Sequence, residues 1–76
     1  MLKQLKIKDE IDIKELEKRG FKKKYYHSTL CLIYGERLDD IVFNLKTRRL
    51  LYVNYSYDVL YDMIQDGILE KVGKWN

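Results

Sequence analysis

The apolar residues of this chain fall into two helical stretches with four short alternating or wholly apolar runs between them. The first helix is announced at Asp12. As N-cap, with Glu15 three residues on, it makes a capping box that satisfies the orphan amides of a helix start. Ile11 before the cap and Leu16 four residues after it supply a hydrophobic staple. Lys18 and Arg19 sit in the last turn, where positive charge suits the helix dipole. Gly20 then offers the left-handed stop, and Phe21 folds back onto Leu16 as in a Schellman motif. Together these predict a short helix over 13–19. The second helix begins near Ser56 or Asp58 and ends at Gly67, with Val59, Leu60, Met63 and Ile64 on one face. Ile68 is placed after Gly67 as Phe21 is after Gly20.

Between the helices, Phe21 to Tyr26, Thr29 to Tyr34, Asp40 to Leu45 and Leu50 to Tyr55 are rich in aromatic and branched residues and predict four strands. His27-Ser28, Gly35 to Asp39 and Lys46 to Arg49 are the turns, and connections this short imply an antiparallel meander. Lys22-Lys23-Lys24 suits an edge strand, because edge lysines oppose pairing with other chains. Leu30-Cys31-Leu32-Ile33 is apolar on both faces and belongs inside the sheet. Leu5-Lys6-Ile7-Lys8 alternates, as a further N-terminal edge strand would. The fold class is therefore α+β: one domain over 1–76, ordered helix, four-stranded antiparallel meander, helix.

The last hairpin has two registers. An even loop pairs Leu45 with Leu50 and puts Ile41, Phe43 and Asn54 on one face. An odd loop groups Ile41, Phe43, Leu51, Val53 and Tyr55 and leaves Val42, Asn44, Leu50, Tyr52 and Asn54 opposite, which sorts polarity better. The odd loop requires a left-handed residue at Arg48 or Arg49, at a cost of about 1 kcal/mol. Two short helices cover one face of such a sheet. The other would then carry Val42, Leu50 and Tyr52 toward solvent or a partner.

Composition narrows the function. At 76 residues the chain buries only about 60% of the surface its unfolded form exposes. Hydrophobic residues at 46% and charged residues at 36% exclude collagen-like and disordered classes. No apolar run reaches the roughly 18 residues of a membrane helix, and the start lacks the apolar stretch of a secretory signal. Cys31 is the only cysteine, so no internal disulfide or cysteine-based zinc site forms. These features point to a cytoplasmic protein. Net charge is +3, and it is uneven: residues 1–38 carry ten Lys/Arg against six Asp/Glu, residues 39–76 five against six. The excess centres on Lys22-Lys23-Lys24, with Arg37 and Lys46, Arg48 and Arg49 as satellites. Such patches raise encounter rates with anionic partners; equally, lysines keep a tyrosine-rich protein in solution. Trp75 near the end either folds back on the core or stands exposed as a contact residue.

No motif here dictates catalysis. His27 and Cys31 lie four apart, about 13 Å along a strand, which is too far for a Cys–His dyad. Asp39-Asp40 reads as a turn and strand start, and Asp9, Glu10 and Asp12 as the approach to a helix cap. Phosphate loops, nucleophile elbows and metal-ligand spacings are absent, so the reading is no enzyme, no cofactor and no metal.

Helix, antiparallel sheet, helix is also the order of double-stranded-RNA-binding domains. Those carry a lysine-rich start to the last helix, where this chain has Ser56-Tyr57-Asp58-Val59-Leu60. The stretch from Asp66 to Gly73 is similar to the helix-to-wing step of winged-helix repressors, but a hairpin precedes it rather than a helix. A sheet-face reader of single strands needs aromatics beside basic residues, and Tyr26, Tyr52, Lys22 and Lys24 supply that if they share a face.

The runs from Ile13 to Phe21, from Asn44 to Arg48 and from Leu60 to Val72 resemble small accessory proteins of phages and prophages of Gram-positive bacteria, over about half the chain. The matched positions are helix stops and core residues. The resemblance implies a setting in the bacterial cytoplasm and a role as an accessory or inhibitory factor. Such a factor docks on a host protein or nucleoprotein, including defence components such as a CRISPR effector. Tyrosine and arginine dominate interface hot spots. The candidate contact residues are accordingly Tyr26, Tyr52, Arg37, Arg48 and Arg49, with Lys22, Lys24 and Lys46 steering. A nucleic-acid-binding module using the basic, tyrosine-bearing sheet face is the alternative. A homodimer joined through Val42, Leu50 and Tyr52 is a further rival.

Overall fold

In a computed structural model describing residues 4–35 and 40–72, the chain forms two helices and two antiparallel sheets. The elements are β1 (Leu5–Ile7), α1 (Ile13–Lys18), β2 (Lys22–Tyr26), β3 (Thr29–Tyr34), β4 (Ile41–Asn44), β5 (Leu50–Val53), α2 (Tyr57–Gln65) and β6 (Leu69–Lys71). Strands β2 to β5 are the predicted meander, in sequence order, with β2 at an edge.

Both helices stop as the sequence indicates. Phe21 N donates to Leu16 O at 3.0 Å and Gly20 N to Glu17 O at 3.1 Å, the paired bonds of a Schellman motif. Ile68 N to Met63 O at 3.0 Å and Gly67 N to Ile64 O at 3.1 Å repeat it after α2. Both glycines have positive φ. The helix starts differ from expectation. Asp12 caps α1, but its carboxylate accepts from Lys14 N at 2.9 Å rather than from Glu15 N, which donates to the Asp12 carbonyl. Ser56 precedes α2 in a left-handed conformation and donates its hydroxyl to Asp40 Oδ2 at 3.0 Å, tying the helix entry to the start of β4. Leu60 and Met63 are buried and Val59 is half-buried, whereas Ile64 turns outward.

The N-terminal strand exists but does not extend the meander. β1 pairs with β6, Ile7 opposite Leu69, and meets the start of β5 through Ile7 N to Arg48 O at 2.9 Å. β6 has no counterpart in the sequence reading. Ile7, Ile68 and Leu69 join Leu16, Phe21, Leu32, Ile41, Phe43, Leu50, Leu60 and Met63 in the main core, between the meander's front face and the helices.

The last hairpin corrects the register. At its open end Ile41 pairs with Val53 and Val42 with Tyr52, the odd register, but Phe43 then pairs with Leu50 across a bulge. An unbroken register puts either Leu50 or Val53 on the front face; one extra residue, Leu51, puts both there while Tyr52 stays behind. Arg48 takes the left-handed conformation at φ 67. Leu50 is thus only 3% exposed and lies in the core, and the expected back-face patch of Val42, Leu50 and Tyr52 does not form.

Candidate functional site

Register and alternation assign the back of the meander residue by residue. Lys22 pairs with Ile33, Ile33 with Val42 and Val42 with Tyr52, so these four side chains make one row across the sheet. Lys24, Cys31 and Asn44 make the next, and Tyr26 and Thr29 the third. Arg49, exposed just before β5 and bridged to Lys6 of β1, falls on the same side by alternation from Leu50. Tyr26, Tyr52, Lys22, Lys24 and Arg49 therefore share one face.

The middle of that face is closed. Val42 is 0% exposed, and with Cys31 and Ile33 it makes a small buried cluster separate from the main core. Tyr26 packs against the cluster, and the Tyr52 ring stacks with it, centroids 6.4 Å apart at an interplanar angle of 24°. His27, in the β2–β3 turn, sets its ring against Tyr26 edge-on at 4.4 Å. The two tyrosines thus sit on an aliphatic platform, with Tyr52 keeping 39% of its surface in solvent. Burial pushes the Cys31 thiol up from its ordinary pKa of 9.0, so it is held as a thiol.

The remaining candidates lie elsewhere. Arg48 is turned inward: its Nη1 donates to Lys8 O at 2.7 Å and to Ile11 O at 2.6 Å, tethering the segment between β1 and α1. Its guanidinium is thereby committed to the fold. Lys46 is in the β4–β5 turn, where Asn44 Oδ1 accepts from Lys46 N at 2.8 Å and Thr47 N at 2.9 Å. It lines a shallow cleft of about 400 Å³ with Ser28, Thr29, Leu30, Asn44 and Leu45. Arg37, Asp39 and Trp75 lie outside the described residues.

Among the described residues, no group of three His, Cys, Asp or Glu side chains is placed to hold a metal ion, and no helix is long and apolar enough to cross a membrane. A second exposed feature was not singled out from the sequence. Tyr57, Tyr61 and Ile64 form an outward stripe on α2 beside Asp58 and Asp62. Helical periodicity carried the signal, since the three recur at i, i+4 and i+7. Compared with known protein families, with curated proteins and with solved structures, the chain matches none.

Proposed function

We propose that this chain is a non-catalytic binding protein that docks on a nucleoprotein through the back face of its meander. The observation supporting this is the gathering of Lys22, Lys24, Tyr26, Tyr52 and Arg49 on one side of the sheet, opposite the face on which both helices pack. Surface rings held on a buried platform lose little side-chain freedom on binding, and nearby cations speed encounter with anionic partners. The resemblance to phage and prophage proteins supplies the setting, an accessory or inhibitory factor in a Gram-positive cytoplasm. A defence complex such as a CRISPR effector is a partner of the right kind, because it presents protein and nucleic acid together.

Paired variants test the face. Capture of host complexes by the tagged wild-type chain is compared with capture by a Tyr26→Ala/Tyr52→Ala chain and a Tyr57→Ala/Tyr61→Ala chain, with folding checked by circular dichroism. The back-face pair is expected to abolish capture and the helix pair to preserve it. The reverse pattern would move the site to α2 and overturn the reading.

A further inference from the structure

The surface the back face offers differs from what its sequence suggests. The apolar residues paired across these rows are buried: Cys31, Ile33 and Val42 lie in their own cluster and Leu50 faces the core, while Leu51 at the bulge stays 39% exposed. The other residues of the rows are aromatic, cationic or small and polar. None of the residues that β2 to β5 turn to this side is acidic: they are Lys22, Lys24 and Tyr26, Thr29, Cys31 and Ile33, Val42 and Asn44, and Tyr52. The whole chain nonetheless holds twelve Asp and Glu. A protein partner gains most from desolvating an exposed apolar centre, and lysine is depleted at such interfaces. Rings beside lysines match instead a polyanion that carries flat apolar faces.

We propose that the back face binds single-stranded nucleic acid, with phosphates drawn to Lys22, Lys24 and Arg49 and unpaired bases stacking on the Tyr26–Tyr52 pair. The inference rests on the docking reading of this face and names its ligand. Single strands are favoured over duplex because the rings lie on a strand surface, and no helix or ribbon projects there to enter a groove. Stacking also requires base faces that a duplex keeps covered. The near-parallel rings already provide a step onto which a base extends the stack. Because the cations are few, the electrostatic contribution is modest and countable.

Fluorescence anisotropy of labelled dT12, rU12 and a twelve-base-pair duplex tests this. Two phosphate contacts predict about 7-fold weaker binding of the single strands between 50 and 200 mM salt, and a third, from Arg49, about 18-fold. Tyr52→Ala is expected to weaken binding by about 5-fold or more, while Tyr52→Phe, which keeps the ring, binds as wild type. Lys22→Gln is expected to flatten the logarithmic salt slope by about 0.7. Lys14→Gln/Lys18→Gln, which removes charge from α1, should leave the slope unchanged. The dT12 and rU12 arms report whether DNA or RNA is preferred. Absence of single-strand binding at 50 mM salt overturns the inference, as does equal affinity for the duplex, or an equal loss in the α1 variant. If single strands fail to bind but back-face-dependent capture of a host complex persists, the docking reading stands and this ligand falls. If both fail, both fall.

Discussion

Arg48 joins two distant parts of the chain at a single side chain. Its backbone is left-handed, which costs about 1 kcal/mol, and its guanidinium bonds two carbonyls of the Lys8–Ile11 segment. Arg48→Ala should lower stability by about 2 kcal/mol in urea denaturation, since hydrogen bonds to charged groups contribute about 1.5–3 kcal/mol, while the folded fraction binds as wild type. A loss of affinity without loss of stability would return Arg48 to the contact surface. Gly20 and Gly67 make a second comparison. Both have positive φ, but a Cβ at Gly20 would meet Tyr34 Cε2 at 3.1 Å, whereas at Gly67 its nearest neighbour is the flexible end of Lys8 at 3.8 Å. Gly67→Ala should cost about 1 kcal/mol and Gly20→Ala visibly more. Cys31 sets an alkaline limit. Its pKa is raised by burial, so the folded state holds the proton more tightly, and the contribution to stability is intact below about pH 9 and lost as pH rises past it. Cys31→Ala should remove that part of the alkaline loss. At this scale the left-handed residue was legible, because an odd loop demands one. The inward turn of the guanidinium was not, because charge alone gives no direction and the acceptor carbonyls lie 37 and 40 residues away.

The elements separate into those written locally and those set by distant partners. The twin helix stops, the four meander strands and the His27-Ser28 turn depend on neighbouring residues, and all were readable. His27 and Ser28 both have positive φ, at 49 and 67, as a two-residue type I′ turn requires. Asn and Gly adopt that conformation more readily, so His27→Asn/Ser28→Gly should stabilise the hairpin by about 1 kcal/mol, measured as a rise in the urea midpoint. The β1–β6 pair was not readable in full, because a strand as short as Leu69–Lys71 has no period of its own and finds its partner at the other end of the chain. Its energetic weight is concentrated in Ile7, which is fully buried against Leu69 and the main core. Ile7→Ala should cost about 2–5 kcal/mol, enough to unfold so small a domain near 37 °C by circular dichroism. The bulge at Leu51 escaped for a related reason. Alternation describes uninterrupted strands, and the demand for Leu50 and Val53 on the same side comes from the core rather than from the turn.

Across the whole molecule, charge follows the architecture. From Leu50 to Glu70 there is no Lys or Arg, so α2 presents Asp58 and Asp62 with its tyrosine stripe, while the back of the meander is cationic. The helix ends are pinned to one another by Arg19 and Asp66 at 2.7 Å, an ion pair exposed enough to contribute about 1 kcal/mol or less. With Val42 and Leu50 buried, the self-complementary back-face patch expected from the sequence does not form. Sedimentation should therefore give the 9.3 kDa monomer; twice that mass would point to another interface, with the α2 stripe the first to examine. Recognition is proposed to take place on the tyrosine-and-lysine side of the sheet. An amide chemical-shift map recorded while dT12 is titrated into the labelled protein tests this most directly. Shifts concentrated at Lys22, Lys24, Tyr26, Thr29, Val42 and Tyr52 are the predicted result. Shifts centred instead on Tyr57, Tyr61 and Ile64, or spread evenly over every lysine of the chain, would contradict it.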